Sequence, residues 1–442
     1  MKKKLLALAV AGALAPAFAV AQTSNVTLSG QLKLGYEYID TDGARGGTAG
    51  YNNIYRIANE TSWVRLSGSE DLGNGLRAVF QIESEINGDV QGGLWTSRNS
   101  GVGLASNTLG TLMFGRWDAH YTSHAAVEGA GFGGNALALK ANSLNLLQWV
   151  NGLGTAGSRL SNVIRYVSPT WAGFSGEVIY SLDSEPAGTS SSSVQSSSGQ
   201  RGRPSEWAIT LRWGAGPANA FLSYINRHNQ GLVLANYGGG VPAYTGALPT
   251  TLSDAAAAGL GGGLNGNALS LNQGTLDLEA YRFGGSYTFG FGGGMQLKVG
   301  AIGDYNKWNA DIANNTSNIN AKRWAMAIPA SLAMGPHTIF ATFGYAWDTK
   351  GNVNCNTAIG GVTARVGCSG GDTSAQMYMI GYDYALSKRT SVGGNWVMIN
   401  NDTNAYYDFW TRGIGVGAAG TATATGGGAS PQSFYVGIRH LF

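Results

Sequence analysis

The sequence predicts an all-β fold: a sixteen-stranded antiparallel β-barrel that crosses a membrane. Three observations carry that expectation. Short segments alternate apolar and polar residues along the whole chain. The connections between them alternate between tight and long. Beyond the first residues no run of 18 apolar residues occurs, so no helix is expected to cross a membrane. Backbone groups in lipid must be paired within the protein, and a closed barrel is the remaining solution.

Composition agrees. The 69 glycines suit tight corners and crowded wall positions. The 20 tyrosines and 12 tryptophans suit two interfacial belts, and only 12% of residues are charged. The chain opens with Lys2, Lys3 and Lys4, an apolar stretch from Leu5 to Ala15 and the small-residue pattern Ala19-Val20-Ala21. This reads as a cleaved export signal over residues 1–21, because the apolar stretch is short of the roughly 20 residues of a spanning helix. The barrel domain is then expected over residues 22–442. Three of the 28 basic residues lie in the leader, so the mature chain balances its 25 acidic residues. Nothing in that balance points to nucleic acid.

In chain order the alternating segments are 26–39, 62–71, 76–84, 96–106, 111–117, 162–169, 174–182 and 206–216, then 218–229, 276–290, 294–309, 322–335, 337–350, 375–387, 390–402 and 432–442. Tight turns are expected at Asp71 to Gly75, Asn107 to Gly110, Pro169 to Gly173, Gly290 to Gly294, Gly335-Pro336 and Ser387 to Arg389. Long links are expected over 118–161, 183–205, 230–275, 351–374 and 403–431. A membrane barrel sorts its connections in this way, with short turns on the periplasmic rim and long loops outside. Pro329 falls inside an expected strand and predicts a bulge or a local strand end, since it cannot donate to a ladder.

Alternation assigns the faces. Leu28, Leu32, Leu34 and Tyr36 share one side of the first strand, and Gln31, Lys33 and Glu37 the other. Ala78, Phe80 and Ile82 oppose Arg77, Gln81 and Glu83; Trp207, Ile209, Leu211 and Trp213 oppose Ala208, Thr210 and Arg212. Tyr281, Phe283, Tyr287 and Phe289 oppose Arg282, Ser286 and Thr288. A Lys or Arg facing lipid at the bilayer midplane costs roughly 2–4 kcal/mol, so the polar set is expected inside. A wide barrel with a polar interior holds water and forms a channel.

Several stretches carry a resemblance. LSGSEDLGNGLRAVFQIES (Leu66 to Ser84), GTLMFGR (Gly110 to Arg116), SNVIRYVSPTWAGFSG (Ser161 to Gly176), YDYALSKRTSV (Tyr382 to Val392) and the ending YVGIRHLF resemble the general outer-membrane porins of Betaproteobacteria, in the family's order. The resemblance implies a homotrimer of sixteen-stranded barrels in the outer membrane, amid lipid and lipopolysaccharide, with a third loop folded into the lumen. It also implies that the terminal aromatic, Phe442, is the label read by the barrel-assembly machinery. Carried over residue by residue, with the third loop as Asp118 to Ser161, Arg116 matches the wall arginine before the loop and Arg159 another family arginine just before the Asn-Val-Ile-Arg-Tyr strand. Glu128 resembles the loop's acidic element, with Asp118 as the other acid in the loop's first part. The family pattern is altered at Trp63, Arg65 and Ser67, all expected to point inward, and at Leu441.

The expected lumen set is therefore Arg65, Arg77, Arg116, Arg159 and Arg165 on the wall and Asp118 and Glu128 on the third loop, with Lys33, Glu83 and Trp63 elsewhere in the lumen. Arginines outnumber acids, which predicts weak anion preference; rings of charge set ion preference in many pores. For each arginine the alternative is a solvated wall residue paired with a loop acid. Cys355 and Cys368 share one long outer loop, where an oxidising compartment favours a disulfide; two free thiols are the alternative. His120 and His124 are expected to line or pack the third loop, and Leu144 to Val150 to form a helical turn against the wall. No catalytic constellation, metal site or cofactor motif stands out. The leading expectation is passive diffusion of ions and small hydrophilic solutes. The alternatives are a substrate-specific channel with an aromatic track of Trp63, Trp117 and Tyr121, or a barrel whose loops serve adhesion or structure.

Overall fold

The computed structural model describes residues 25–42, 53–90, 95–129, 142–150, 153–154, 158–182, 205–231, 234–235, 268–269, 274–312, 319–352, 369–410 and 427–442. Residues 1–21, expected from the sequence to be an export signal, and Cys355 and Cys368 lie outside the described residues.

The wall is made of β1 (Asn25–Asp42), β2 (Ser62–Gly73), β3 (Leu76–Ile86), β4 (Ser100–Ser106), β5 (Gly110–Ala119), β6 (Ser158–Val167), β7 (Phe174–Ser181) and β8 (Ser205–Ala215). It continues through β9 (Ala218–Gly231), β10 (Gly274–Gly290), β11 (Gln296–Ile312), β12 (Ile319–Met334), β13 (His337–Ala346), β14 (Ala375–Ala385), β15 (Thr390–Asn401) and β16 (Ser430–Leu441). One sheet holds 18 strand segments, because Ile54–Asn59 prolongs β2 along β1 and Lys350–Gly351 continues β13 along β12. The staves are thus the sixteen expected, each overlapping its segment in order. The prolongation at 54–59 was not anticipated; its short alternation carries Tyr55 and Ile57 outside and pairs Arg56 with Glu37 at 2.7 Å.

Neighbouring staves pair antiparallel, and β1 closes the ring on β16, with Lys33 opposite Arg439 and Tyr36 opposite Val436. The seam extends beyond β16: Gly30 donates its N–H to the Phe442 carbonyl at 2.9 Å, and Phe442 donates back to Gly30 at 3.1 Å. The Phe442 ring lies over Gly30 so closely that a Cβ there would fall 2.4 Å from it, which is why this position takes glycine.

The outer face is the apolar face. Leu28, Tyr36, Val102, Leu104, Leu211, Tyr281, Phe283, Tyr287, Phe289, Ile380 and Val436 are exposed on it. Across β8 to β12 the rings of Trp207, Tyr224, Tyr281, Tyr305 and Trp324 form a chain of neighbours, with centroids 4.9, 4.5, 6.3 and 4.8 Å apart in turn. A row of rings at one height on a lipid-facing wall is an interfacial belt.

Pro329 neither bulges nor ends its strand. It stays in register opposite Thr342, and the β11–β12 ladder resumes on the same register after skipping it. Gly300 makes room beside the ring: a Cβ there would stand 3.3 Å from Pro329 Cγ.

The inner face is not polar all round. Beneath β12 to β15 it carries Ala325, Ala327, Met377, Met379, Val397 and Ile399, all buried in one cluster with Leu146 and Leu147. Those last two belong to the third loop, whose helices α1 (Ala125–Glu128) and α2 (Leu144–Leu147) lie against β9 to β12 and β12 to β14 respectively. An apolar patch inside a water-filled barrel is stable only if covered, and folded-back chain covers this one. The helical turn expected at Leu144 to Val150 is α2 and the residues after it.

Candidate functional site

The wall opposite the third loop carries the charges. In β2, Arg65 faces Glu83 of β3 in register, and Arg65 Nε donates to a Glu83 carboxylate oxygen at 2.7 Å. Arg98, just before β4, donates to the other oxygen of Glu83 at 2.5 Å. Glu83 is therefore a buried acid with two guanidiniums on it, a charge-assisted arrangement stronger than neutral hydrogen bonds. The Arg65 guanidinium also sits 4.7 Å from the Trp63 ring centroid, within cation–π range.

A second group stands at the upper ends of β5 and β6. Asp118 lies opposite Arg159, and the two pair at 2.7 Å. Asn99 joins them: its amide donates to Asp118 at 3.0 Å, and its carbonyl oxygen accepts from Arg159 Nε at 3.1 Å. Asp118 thus belongs to strand β5 rather than to the loop, and its partner is on the neighbouring stave. Arg116 sits at an irregularity of the β5–β6 register and donates to Ser161 Oγ at 2.7 Å. A third group joins Arg165 and Glu177 at 2.7 Å and Arg212 with Glu177 at 3.5 Å. The Arg165 guanidinium lies 4.3 Å from the Trp117 ring centroid.

Two expected residues stand elsewhere. Arg77 is exposed at the turn end of β3 and reaches Asn107 of the next turn at 3.3 Å, so it is not brought to the cluster. Its position one residue inside a tight turn carried that information. Glu128 is 2% exposed and turned into the loop. It accepts from the Ser143 N–H and from Ser143 Oγ, each at 2.7 Å, and lies 3.2 Å from His124 Nε2. It ties the start of the third loop to its return and does not face the wall arginines. Lys33 points inward as expected but is fully buried, its N–H bonded to Ser62 Oγ at 2.9 Å.

What holds the loop was not foreseen in the sequence. Arg282 of β10 and Arg323 of β12 converge on Asp304 of β11, at 2.7 and 3.0 Å, all three side chains fully buried. Arg282 also donates to the Tyr121 carbonyl at 3.2 Å and to the Leu147 carbonyl at 3.4 Å; Arg323 bonds the carbonyls of Leu146 and Leu147. These last carbonyls of α2 have no partner within the helix, and cations are favoured at a helix C-terminus. Lys298 likewise bonds the Ala126 carbonyl of α1. His120 lies 3.0 Å from Ser223 Oγ, and His124 3.2 Å from Arg282. Burial, helped by Arg282, holds both imidazoles below their ordinary value, although Glu128 pulls the other way on His124. The histidines pack the loop, as the sequence suggested.

A second loop also folds inward. After β15, Tyr406, Tyr407 and Phe409 are buried, and the Trp410 N–H donates to Asn145 at 2.9 Å. The Trp410 indole donates to Tyr121 Oη at 3.3 Å, with the two rings 5.7 Å apart. Tyr121 therefore packs on this loop, while Trp63 and Trp117 each carry an arginine.

The arrangement is a barrel with two loops lining one side and paired charges on the other, which suits solvated ions better than covalent chemistry. Among the described residues no group of acids, histidines and cysteines is placed to hold a metal. A model described as Gram-negative porin matches residues 7–404. An outer membrane porin protein of Bordetella pertussis is 28% identical over 89% of this chain and 92% of its own length. Outer membrane porin protein 32 of Delftia acidovorans is 26% identical over the full length of both. Among solved structures, the anion-selective porin from Comamonas acidovorans has a TM-score of 0.59 at 22% identity, covering 95% of this chain and all of that one, and so shares the fold. Closed staves, an infolded third loop and a match over most of the length together place this chain in the Gram-negative porin family, the channel-forming barrels of the outer membrane.

Proposed function

We propose that the protein conducts ions and small hydrophilic solutes passively, with a weak preference for anions, and that it has no catalytic role. The observation that carries the anion preference is the excess of cations on the charged wall. Arg65, Arg98, Arg116, Arg159, Arg165 and Arg212 stand there against Glu83, Asp118 and Glu177. Each acid is shared with or matched by an arginine, and Arg116 is left with only a hydroxyl among its hydrogen-bond partners in the described residues. Fixed positive potential along a narrow aqueous path raises the local anion concentration. The anion selectivity named for the Comamonas acidovorans protein supports the same sign. Reversal potentials in a potassium chloride gradient across a planar bilayer test this. A potential of the sign expected for anions, moving toward zero in Arg65→Gln and Arg165→Gln, is the expected result; cation selectivity in the unaltered protein refutes it.

The working unit is a homotrimer in this reading, as one solved relative from Vibrio cholerae is described as a trimer form. Phe442 serves as the assembly label, and Cys355 and Cys368 form a disulfide in their outer loop. Native electrophoresis in mild detergent tests the trimer, and a mass gain of about two protons on reduction tests the disulfide.

A further inference from the structure

The two inward loops meet at one residue. Trp410, on the loop after β15, donates its indole N–H to Tyr121 Oη at 3.3 Å and its backbone N–H to Asn145 Oδ1 at 2.9 Å. Tyr121 lies on the outgoing arm of the third loop and Asn145 in α2 on its return, 289 and 265 positions away in sequence. The outgoing arm leaves the wall under strain. His120, directly after β5, has φ of 61°, a left-handed backbone that a histidine seldom adopts. Such a residue keeps its conformation only where its surroundings hold it on several sides, and strained residues of this kind gather at clamps and switches.

Trp410 is carried on a firm base. Asn401, the last residue of β15, donates its amide to the carbonyls of Tyr407 and Ala429 at 2.8 and 2.6 Å and accepts from the Tyr407 N–H at 3.1 Å. One side chain thus ties both legs of the loop. Gly428 adds a bond to the Ala405 carbonyl at 3.0 Å, and Tyr407 and Phe409 are buried in the cluster that holds Leu146 and Leu147. The rings of Tyr121 and Trp410 are only partly buried. Burial raises the Tyr121 hydroxyl above its ordinary value, the Trp410 bond lowers it, and Asp118, Arg159 and Arg98 act on it as well. The joined rings therefore stand within reach of the charged wall.

We propose that Trp410 is a positioning residue for conduction: it joins the two inward loops into one constriction, and its contact with Tyr121 and Asn145 is a latch whose opening gives a second, wider conducting state. The proposal rests on the channel reading above. The third loop stays docked in both states, because Arg282 and Arg323 hold the carbonyls of Leu146 and Leu147 without help from Trp410. With the latch open, the path beside Arg98 and Arg159 is wider and ions pass further from those charges. Fields of exposed charges are largely screened over about 10 Å in 0.1 M salt. Current therefore rises while anion preference falls, a pair of changes that separates the latch from loss of a wall charge.

The test uses the full-length protein refolded in detergent, read by planar-bilayer recording and by amide hydrogen exchange. In Trp410→Ala the wider level should dominate and the chloride-to-potassium permeability ratio should move toward one. Amides of residues 406–410 should exchange about tenfold faster, as expected for one lost hydrogen bond and one lost ring contact, while those of β15 keep the parental rate. Asn145→Ala removes the other arm of the latch and should act in the same direction. Trp410→Phe and Tyr121→Phe each lose only the indole–hydroxyl bond, so both should occupy the wider level for less of the time than Trp410→Ala. The wider level should have one size in all four variants, with only its share of the time differing, because the substitutions shift a balance between two states. Parental current, ratio and exchange in Trp410→Ala overturn the proposal, as do steps that enlarge by a different amount in each variant. Larger currents accompanied by loss of the heat-dependent electrophoretic shift mark a damaged barrel and also overturn it. If Trp410→Ala fails to fold, the two phenylalanine variants decide by the same readouts. Absence of current steps in the parent would refute the channel and leave the exchange measurement to decide the latch.

Discussion

Glu83 holds Arg65 and Arg98 at once, so one carboxylate masks two cations on the lumen wall. Replacing it by glutamine keeps the shape and removes the charge. Anion preference is then expected to rise about twofold, because a unit charge about 8 Å from an ion in water acts with roughly 0.5 kcal/mol. The chloride-to-potassium permeability ratio measures this, and an unchanged or lowered ratio counts against the role given to Glu83. His120 and His124 make a different prediction. Both are held neutral by burial near Arg282. Released into water, an imidazole titrates near 6.5. Below that pH the released loop binds protons that the docked loop refuses, so docking is firm above pH 6.5 and weakens as pH falls toward the lowered values. Closures and current noise should therefore grow between pH 6.5 and 5, and the double variant His120→Asn, His124→Gln should flatten that rise. Equal noise at pH 5 and 7.5 in the parent protein would rule it out. At this scale the sequence placed side chains on faces but not at heights. Arg65 and Glu83 were both legible as inward, whereas their contact depends on the β2–β3 register, and Arg77 lies on the same face at the rim.

The third loop is the element whose fate depends most on distant residues. Arg282 and Arg323 are separated from the carbonyls they bind by more than 130 positions. Local pattern predicted a helical turn at Leu144 to Val150, of which Leu144 to Leu147 is helical, and an inward direction for Arg282; only the curvature of the wall brings them together. Glu128 shows the same gap. As an isolated acid ahead of a glycine-rich stretch it matched a lumen carboxylate, yet the loop's return delivers Ser143 to it and buries it. Arg282→Met removes one arm of a buried ion pair, at about 3–5 kcal/mol, together with the bonds to Tyr121 and Leu147. The barrel ladder is independent of these contacts. The expected outcome is larger, noisier single-channel steps from a protein that still shows the heat-dependent electrophoretic shift of a folded barrel. Steps of parental size and quiet would refute the pinning role. The inward loop after β15 was hidden for a related reason: its Tyr406, Tyr407 and Phe409 read as part of an external loop, and their burial requires the apolar inner face of β14 and β15.

For the whole molecule the decisive contact is closure. Phe442 pairs with Gly30 through both backbone bonds and covers it with its ring. Phe442→Ala keeps the backbone bonds and loses the ring. Protein refolded in detergent should retain a β-type circular dichroism spectrum, while the amount reaching the outer membrane in cells should fall severalfold. Normal accumulation would show that the ring is not the label. By itself the sequence determined the number of staves, their order, their outward faces and the sorting of short and long connections. Period-two alternation is a local property, and lipid tolerates no polar surface, so pattern and fold are tied strand by strand. Only the tertiary structure decided which loops enter the bore, which charges meet across it and which part of the inner wall is dry. Those outcomes depend on register, curvature and contacts between residues far apart in the chain, where one residue's partner is set by the geometry of the closed ring and not by its neighbours in sequence.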